Sequence, residues 1–235
     1  MSSQQLQTSI ITVPKHLAPS SLDGILTKYK TLRLAGLQTN PNSFTSTYSR
    51  EIQYTDETWA ARLLNPLARI FIAVQPATVI DSGNDSDSDL ERLSGRNWVG
   101  QLTLLGPVIF PVGNEKADNA PWELFKDINF EQAAKAEIAP GSRVVYILVG
   151  MYVLPEAQGR GVGRGLVEAA VRAVDAETND NGVAATIVVL VLKDNARARS
   201  LYEQVGFVAG AKTVYIEGDE GWSLFLNVGR DDTST

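Results

Sequence analysis

Cysteine is absent from the 235 residues, and histidine occurs once, as His16. Without a thiol there is no disulfide, no thiolate metal site and no cysteine nucleophile. A zinc site built on several imidazoles, HExxH among them, has no residues to draw on, so no metal is expected. A Ser-His-Asp triad would rest on His16 alone, and no GxSxG turn supports it. His16 therefore reads as a surface or first-strand residue. Long hydrophobic runs are missing as well. Those near 144–154 and 186–192 fall short of the ~20 helical residues that span a bilayer. Met1–Thr12 lacks the basic-then-apolar layout of a secretory leader, which makes the cytoplasm the expected compartment with the nucleus open. Positive charge is also in deficit. The formal net charge is −6, whereas a general nucleic-acid binder needs a basic face to displace counterions from phosphates. Neither nucleic acid nor a membrane is an expected partner, and a cationic or amine substrate is compatible with the balance.

What is present reads as an ordinary globular chain, 44% hydrophobic and 20% charged, long enough to bury a substantial core. Ile10–Val13 is a short strand before Pro14. Leu22, Ile25, Leu26, Tyr29, Leu32 and Leu37 recur at helical spacing behind Ser21, which predicts a helix to about Leu37 that Asn40-Pro41-Asn42 breaks. Thr55-Asp56-Glu57-Thr58 offers cap chemistry for a second helix ending near Asn65-Pro66. Arg69–Val74 and Trp98–Leu105 alternate as antiparallel strands. The acidic, Ser- and Gly-rich segment at 81–91 is expected to be a mobile solvated loop, since no Glu follows its aspartates at EF-hand spacing. A long insertion at 106–143 carries Trp122, Leu124, Phe125 and Ile128, with a helix expected over Gln132–Ala139. Trp122 and Phe125 are candidate pocket walls, with plain packing of the insertion as the other reading.

The second half is more regular. Val144–Leu154 is an apolar strand, Gly165–Ala176 a helix, and Ala185–Leu192 a second buried strand, so the two strands are expected to be parallel. A helix over Ala196–Val205 is stopped by Gly206, and Phe207–Val228 reads as a hairpin turning at Gly218-Asp-Glu-Gly. Between the first strand and helix lies Gln158-Gly-Arg-Gly-Val-Gly-Arg164. A helix N-terminus with exposed amides, glycines that let a ligand come close, and two arginines point to an anion. Two common phosphate motifs fail on spacing. GxGxxG would need glycine where Arg164 or Leu166 stands, and GxxxxGK[ST] would need a Gly-Lys pair, which the chain lacks. The same misfit removes a dinucleotide oxidoreductase.

What remains, Gln158-x-x-Gly161-x-Gly163 directly after Met151-Tyr-Val-Leu-Pro155, resembles the pyrophosphate-binding motif of the GNAT superfamily of N-acetyltransferases. Asn195-x-x-Ala198-x-x-Leu201-Tyr202-Glu203-x-x-Gly206-Phe207 is similar to that family's element after its fifth strand. Leu32-Arg33-Leu34, Pro41-Asn-Ser-Phe44, Glu51 and Trp59 resemble the opening helices of its small stand-alone members. The resemblance spans most of the chain apart from the acidic loop and the insertion, which would fall between the third and fourth strands. It implies a single α/β domain over 1–235. Its sheet would be mixed, mostly antiparallel and twisted, with about seven strands, flanking helices and a parallel pair splayed at the cofactor site.

The resemblance further implies acetyl-CoA as acetyl donor. Backbone of Met151, Tyr152 and Val153 would meet its pantetheine arm. Gln158 and the turn Gly159, Arg160, Gly161, Val162, Gly163 and Arg164 would hold its pyrophosphate. Asn195 would reach in from the other side, and Arg197 and Arg199 are candidates for the 3′-phosphate. Tyr202 stands at the family's position for the acid that protonates the departing thiolate. Glu51, Tyr48, Tyr146 and Tyr152 are candidate bases, with Glu51 put first and water as an alternative. With no cysteine, direct attack by a neutral amine within a ternary complex is the expected route. A non-catalytic acetyl-CoA sensor or interaction module, monomeric or homodimeric like the enzyme reading, remains the alternative. The acceptor amine is not legible.

Overall fold

The computed structural model describes residues 8–75, 88–109, 120–126, 128–139, 142–216 and 218–229. The predicted acidic loop lies outside the described residues over 81–87, as do 110–119, 127, 140 and 141 of the insertion. Among the described residues seven strands form one sheet in the order β1-β2-β3-β4-β5-β7-β6. They are β1 Ser9–Thr12, β2 Ala68–Val74, β3 Trp98–Ile109, β4 Arg143–Val153, β5 Ala184–Leu192, β6 Val208–Ile216 and β7 Asp219–Val228. Every pairing is antiparallel except β4 with β5. The α/β fold with a splayed parallel pair is thus as expected.

Seven helices follow the chain among the described residues: α1 Pro19–Thr39, α2 Tyr48–Glu51, α3 Asp56–Leu63, α4 Asp89–Gly95, α5 Phe130–Ala133, α6 Val162–Asn181 and α7 Ala196–Val205. None is long and apolar enough to cross a membrane. Helix α1 starts earlier than Ser21 because Pro19 presets the helical φ at its first turn, behind an Ala18 that makes no side-chain cap. Thr55 caps α3 by accepting from Thr58 N–H, as its sequence foretells. Helix α4 was not foreseen, although Ser88 and Glu91 form a reciprocal capping box at its start. The helix predicted over Gln132–Ala139 is one turn at Phe130–Ala133, capped by Asn129; Pro140 leaves too short a run beyond it to sustain helix. The final hairpin closes at the Ile216–Asp219 pair, earlier than the predicted Gly218–Gly221 turn.

The sheet is covered on both faces. Leu166, Val167, Ala170 and Val174 of α6 lie fully buried against Leu102, Leu104, Leu148 and Ile187. The opposite face is divided. Helices α1, α3 and α4 cover β1–β3 around Ile25, Tyr29, Trp59 and Leu93. The 3-10 turn Pro121–Phe125 covers β4, β5 and β7, with Trp122 packed beside Val145, Ile147 and Val188.

One buried carboxylate ties three helices together. Glu51, at the end of α2, has no exposed surface. It accepts from Arg33 of α1 at 3.0 and 2.8 Å, Nε to Oε2 and Nη2 to Oε1, and from Arg62 Nη1 of α3 at 3.0 Å. Burial works to raise its pKa, but the Arg33 hydrogen bonds and charge, with Arg62 behind them, outweigh it and hold the carboxyl below its ordinary value. A depressed carboxyl pKa contributes stability above the unfolded value of ~4.3, lost as pH falls through the folded one. Glu51→Gln should therefore cost about 3 kcal/mol at pH 7, since it strands two cations. In urea denaturation the gap between variant and parent should shrink as pH is lowered from 5 towards 3.

Candidate functional site

The pairing of β4 with β5 runs from Arg143↔Ala184 to Leu148↔Val189 and stops there, although both strands continue. Just beyond, β4 carries an extra residue. Gln101 pairs with Tyr152 and Thr103 with Val149, so three steps of β4 face two of β3. Gly150 sits in this bulge at φ 65°, a left-handed conformation that glycine adopts at little cost. The bulge turns the strand, and the edge of Met151–Val153 that would have met β5 has no strand beside it.

The parting opens a cleft of about 760 Å³ that passes through the sheet. Its lining alternates between faces. Leu148, Met151, Val189 and Tyr202 belong to the core on the α6 side, whereas Ile147 and Leu190 pack with the Pro121–Phe125 turn on the other. Asn40, Ser43, Phe44 and Thr45, between α1 and α2, complete the second side.

The glycine turn forms the rim on the α6 side. Gly159 and Gly161 hold φ values of 73° and 80°. Helix α6 begins at Val162, three residues before the predicted Gly165, with Gly161 as its left-handed N-cap and no side-chain cap. Its first helical bond is from Gly165 N–H to Gly161 C=O. The amides of Val162, Gly163 and Arg164 therefore precede the ladder and face outward with the positive end of a 20-residue helix behind them. Gly163 is also a close-packing position, where a Cβ would come within 2.8 Å of Met151 Cε.

Met151, Tyr152, Val153, Gln158, Gly159, Gly161, Val162, Gly163, Arg164, Asn195 and Tyr202 are all brought to this one cleft. Arg160 is not among its lining residues, and neither is Arg199. Arg199 donates to Glu203 Oε1 at 2.8 Å and lies over the Trp222 ring, 4.5 Å from its centroid. Positions 197 and 199 differ by about 200° around a helix, so only one can face the opening. Arg197 does, and it donates to Gln158 Oε1 at 2.7 Å while Gln158 Nε2 donates to Val153 C=O at 2.8 Å. These bonds tie α7 to the glycine turn and the turn to β4. Asn195 caps α7 by accepting from Ala198 N–H at 3.1 Å.

Tyr202 is buried beneath the parting, its ring edge-on to Phe207 at 5.5 Å. Its hydroxyl donates to Met151 Sδ at 3.2 Å, and burial pushes the phenol well above its ordinary pKa. The candidate bases are scattered. Glu51 does not line the cleft, and its oxygens are engaged by Arg33 and Arg62. Tyr146 points to the α6 side, where Arg69 lies 5.4 Å from its ring centroid. Tyr48 is exposed on α2. Tyr152 alone lines the cleft, its ring against Gly36 of α1 and its hydroxyl sharing a 2.9 Å hydrogen bond with Thr39 Oγ1. His16 is exposed after β1.

In the sequence Phe44 figures only in the Pro41-Asn-Ser-Phe44 resemblance, yet it lines the cleft and covers the Arg33 guanidinium, 4.8 Å from its centroid. Its Pro41-x-x-Phe44 spacing was the available signal. Ile147, Val149 and Leu190 carried none beyond a continuous apolar run.

Residues 128–209 match the model of the acetyltransferase (GNAT) domain. No curated protein matches the sequence. Among solved structures, Arabidopsis thaliana NAA60 in complex with a bisubstrate analogue is 14% identical with a TM-score of 0.53, over 94% of this chain and 100% of that one. The same Arabidopsis protein in complex with acetyl-CoA gives 16% and 0.51, over 94% and 99%. An acetyltransferase of the GNAT family from Streptococcus pneumoniae gives 15% and 0.51, over 94% and 100%. At such identities the likeness is one of fold, and it spans both halves of the chain. The sequence match to a GNAT acetyltransferase domain thus covers residues 128–209, and the fold built around the parted strands is the one these structures share.

Proposed function

We propose that this protein is an acetyl-CoA-dependent N-acetyltransferase acting on a primary amine by direct attack in a ternary complex. The observation that carries the reading is the cleft. An unpaired strand edge, a helix N-terminus with outward amides and a buried hydroxyl beside a sulfur converge on one opening through the sheet. These groups fit an extended amide-bearing arm that ends in phosphates, and the fold has been solved elsewhere with acetyl-CoA. When bound, that molecule supplies an activated acetyl thioester.

The chain's own residues would then do four things. The free edge of Met151–Val153 receives the arm as an added strand would. The amides of Val162, Gly163 and Arg164 meet phosphate oxygens, with Arg164 and Arg197 adding charge. A backbone N–H of the Met151–Val153 strand donates to the oxygen on which negative charge develops. Tyr202 keeps its proton throughout the neutral range and presents it towards sulfur. A phenol held above its ordinary ~10 gives that proton up reluctantly to a thiolate whose conjugate thiol titrates near ~8.5. Its contribution is therefore a hydrogen bond to the departing sulfur first, with proton transfer following. Glu51 is assigned to holding the helices and not to removing a proton, so the amine must arrive neutral or lose its proton to water.

Calorimetric titration with acetyl-CoA, with NADH as control, tests the reading. Saturable binding of acetyl-CoA alone is expected, followed by CoA release when a primary amine is added. No binding would overturn it, and binding without turnover on any amine would leave a sensor. Tyr202→Phe should hold acetyl-CoA affinity within about twofold while lowering turnover roughly 10²-fold; unchanged turnover would remove Tyr202 from the chemistry. Gly163→Val should weaken acetyl-CoA binding by about tenfold or more, with an unaltered circular dichroism spectrum, because the new methyls must displace Met151 into the cleft.

A further inference from the structure

The two sides of the cleft differ in charge. Among the described lining residues, the charged side chains are Arg164 and Arg197, and both belong to the glycine-turn side. Among the described residues no carboxylate lines the cleft there or on the opposite side. That opposite side is floored by Ile147, Val149 and Leu190, with Phe44 and Thr45 at its edge. Val149 shares the face of Ile147 by strand alternation and is left 36% exposed in this otherwise buried stretch. Ile147 and Leu190 pack with Leu124 and Phe125 on this same face, so the insertion flanks the floor. Beneath Phe44 lies Arg33, and Glu51 is already shared between Arg33 and Arg62. This cluster of two guanidinium groups and one carboxylate thus carries a net positive charge.

Resting on the acetyl-transfer reading above, in which the acceptor meets the donor from this second side, we infer that the acceptor is a monoamine on an apolar, uncharged body. Ile147, Val149 and Leu190 are its specificity residues. A polyamine or a lysine-rich acceptor would bring further ammonium groups to a wall with no described carboxylate and a cation behind it. An apolar body gains about three- to fourfold in affinity per buried methylene. The same wall favours the form that reacts, because desolvation beside Val149 lowers the pKa of an amine and releases its lone pair. It thereby does part of the work for which the described lining holds no carboxylate base.

The test compares kcat/KM at fixed acetyl-CoA for hexylamine, phenethylamine and a peptide with leucine at its N-terminus against putrescine, spermidine and a peptide beginning with lysine. At least one of the first three should exceed all of the second three by tenfold or more. Hexylamine or phenethylamine leading points to small amines, and the peptide alone leading points to chain N-termini; both support the inference. Val149→Asp, which places a carboxylate on the half-open floor, should shift the ratio of spermidine to hexylamine by tenfold or more towards spermidine. Spermidine or putrescine preferred by the parent, a ratio unmoved in Val149→Asp, or acetyl-CoA bound with none of the six acetylated would each overturn the inference while leaving cofactor binding intact. Failure to bind acetyl-CoA at all would overturn the underlying reading with it.

Discussion

Two neighbouring parallel strands are hydrogen-bonded only as far as Leu148↔Val189, and the rest of the structure is arranged around that early stop. Strand edges without partners leave N–H and C=O groups that must find water, side chains or a ligand. Here the parting is held open from several directions. The Gly150 bulge turns β4 away, Met151 drops between Tyr202 and Gly163, and α7 is tied back to β4 through Arg197 and Gln158. Closing the gap would mean unseating Tyr202, which is buried and packed on Phe207. The opening is thus built into the packing and does not rest on a loop.

The charge arrangement follows a similar economy. A chain with net charge −6 puts two arginines and no described carboxylate on the lining of its cleft. The carboxylate nearest in sequence to a catalytic role, Glu51, is spent on Arg33 and Arg62. Low local dielectric makes such a pair costly to break, so Glu51 cannot change protonation state near neutrality without loosening α1, α2 and α3 together. A residue with that duty is poorly suited to cycling a proton.

Local signals were read well from the sequence. Thr55 caps the helix its spacing announced, Gly206 stops α7 in a left-handed conformation, and the β4–α6–β5 unit is parallel as its long crossover requires. The errors are also physical. The Ser88–Glu91 capping box lay inside a stretch read as solvated because its acidic composition outweighed a pattern only four residues long. Helix α6 begins before Gly165 because Gly161, taken as part of a turn, serves as its N-cap. The helix expected over Gln132–Ala139 is only the turn Phe130–Ala133, since a short segment keeps its helix only where it packs against something.

The sequence by itself determined the strand–turn–helix that presents amides to an anion and the helix that carries Tyr202. These depend on residues within one or two turns of each other, where backbone propensity and capping decide. Tertiary structure alone decided which of Arg197 and Arg199 faces the cleft, what becomes of Glu51 and where the insertion packs. The contacts concerned join residues 18, 39 and 51 positions apart, as in Arg33–Glu51, Gln158–Arg197 and Met151–Tyr202. Such pairings are set by how whole elements stack, and a side chain's partner across the sheet leaves no mark in the residues beside it.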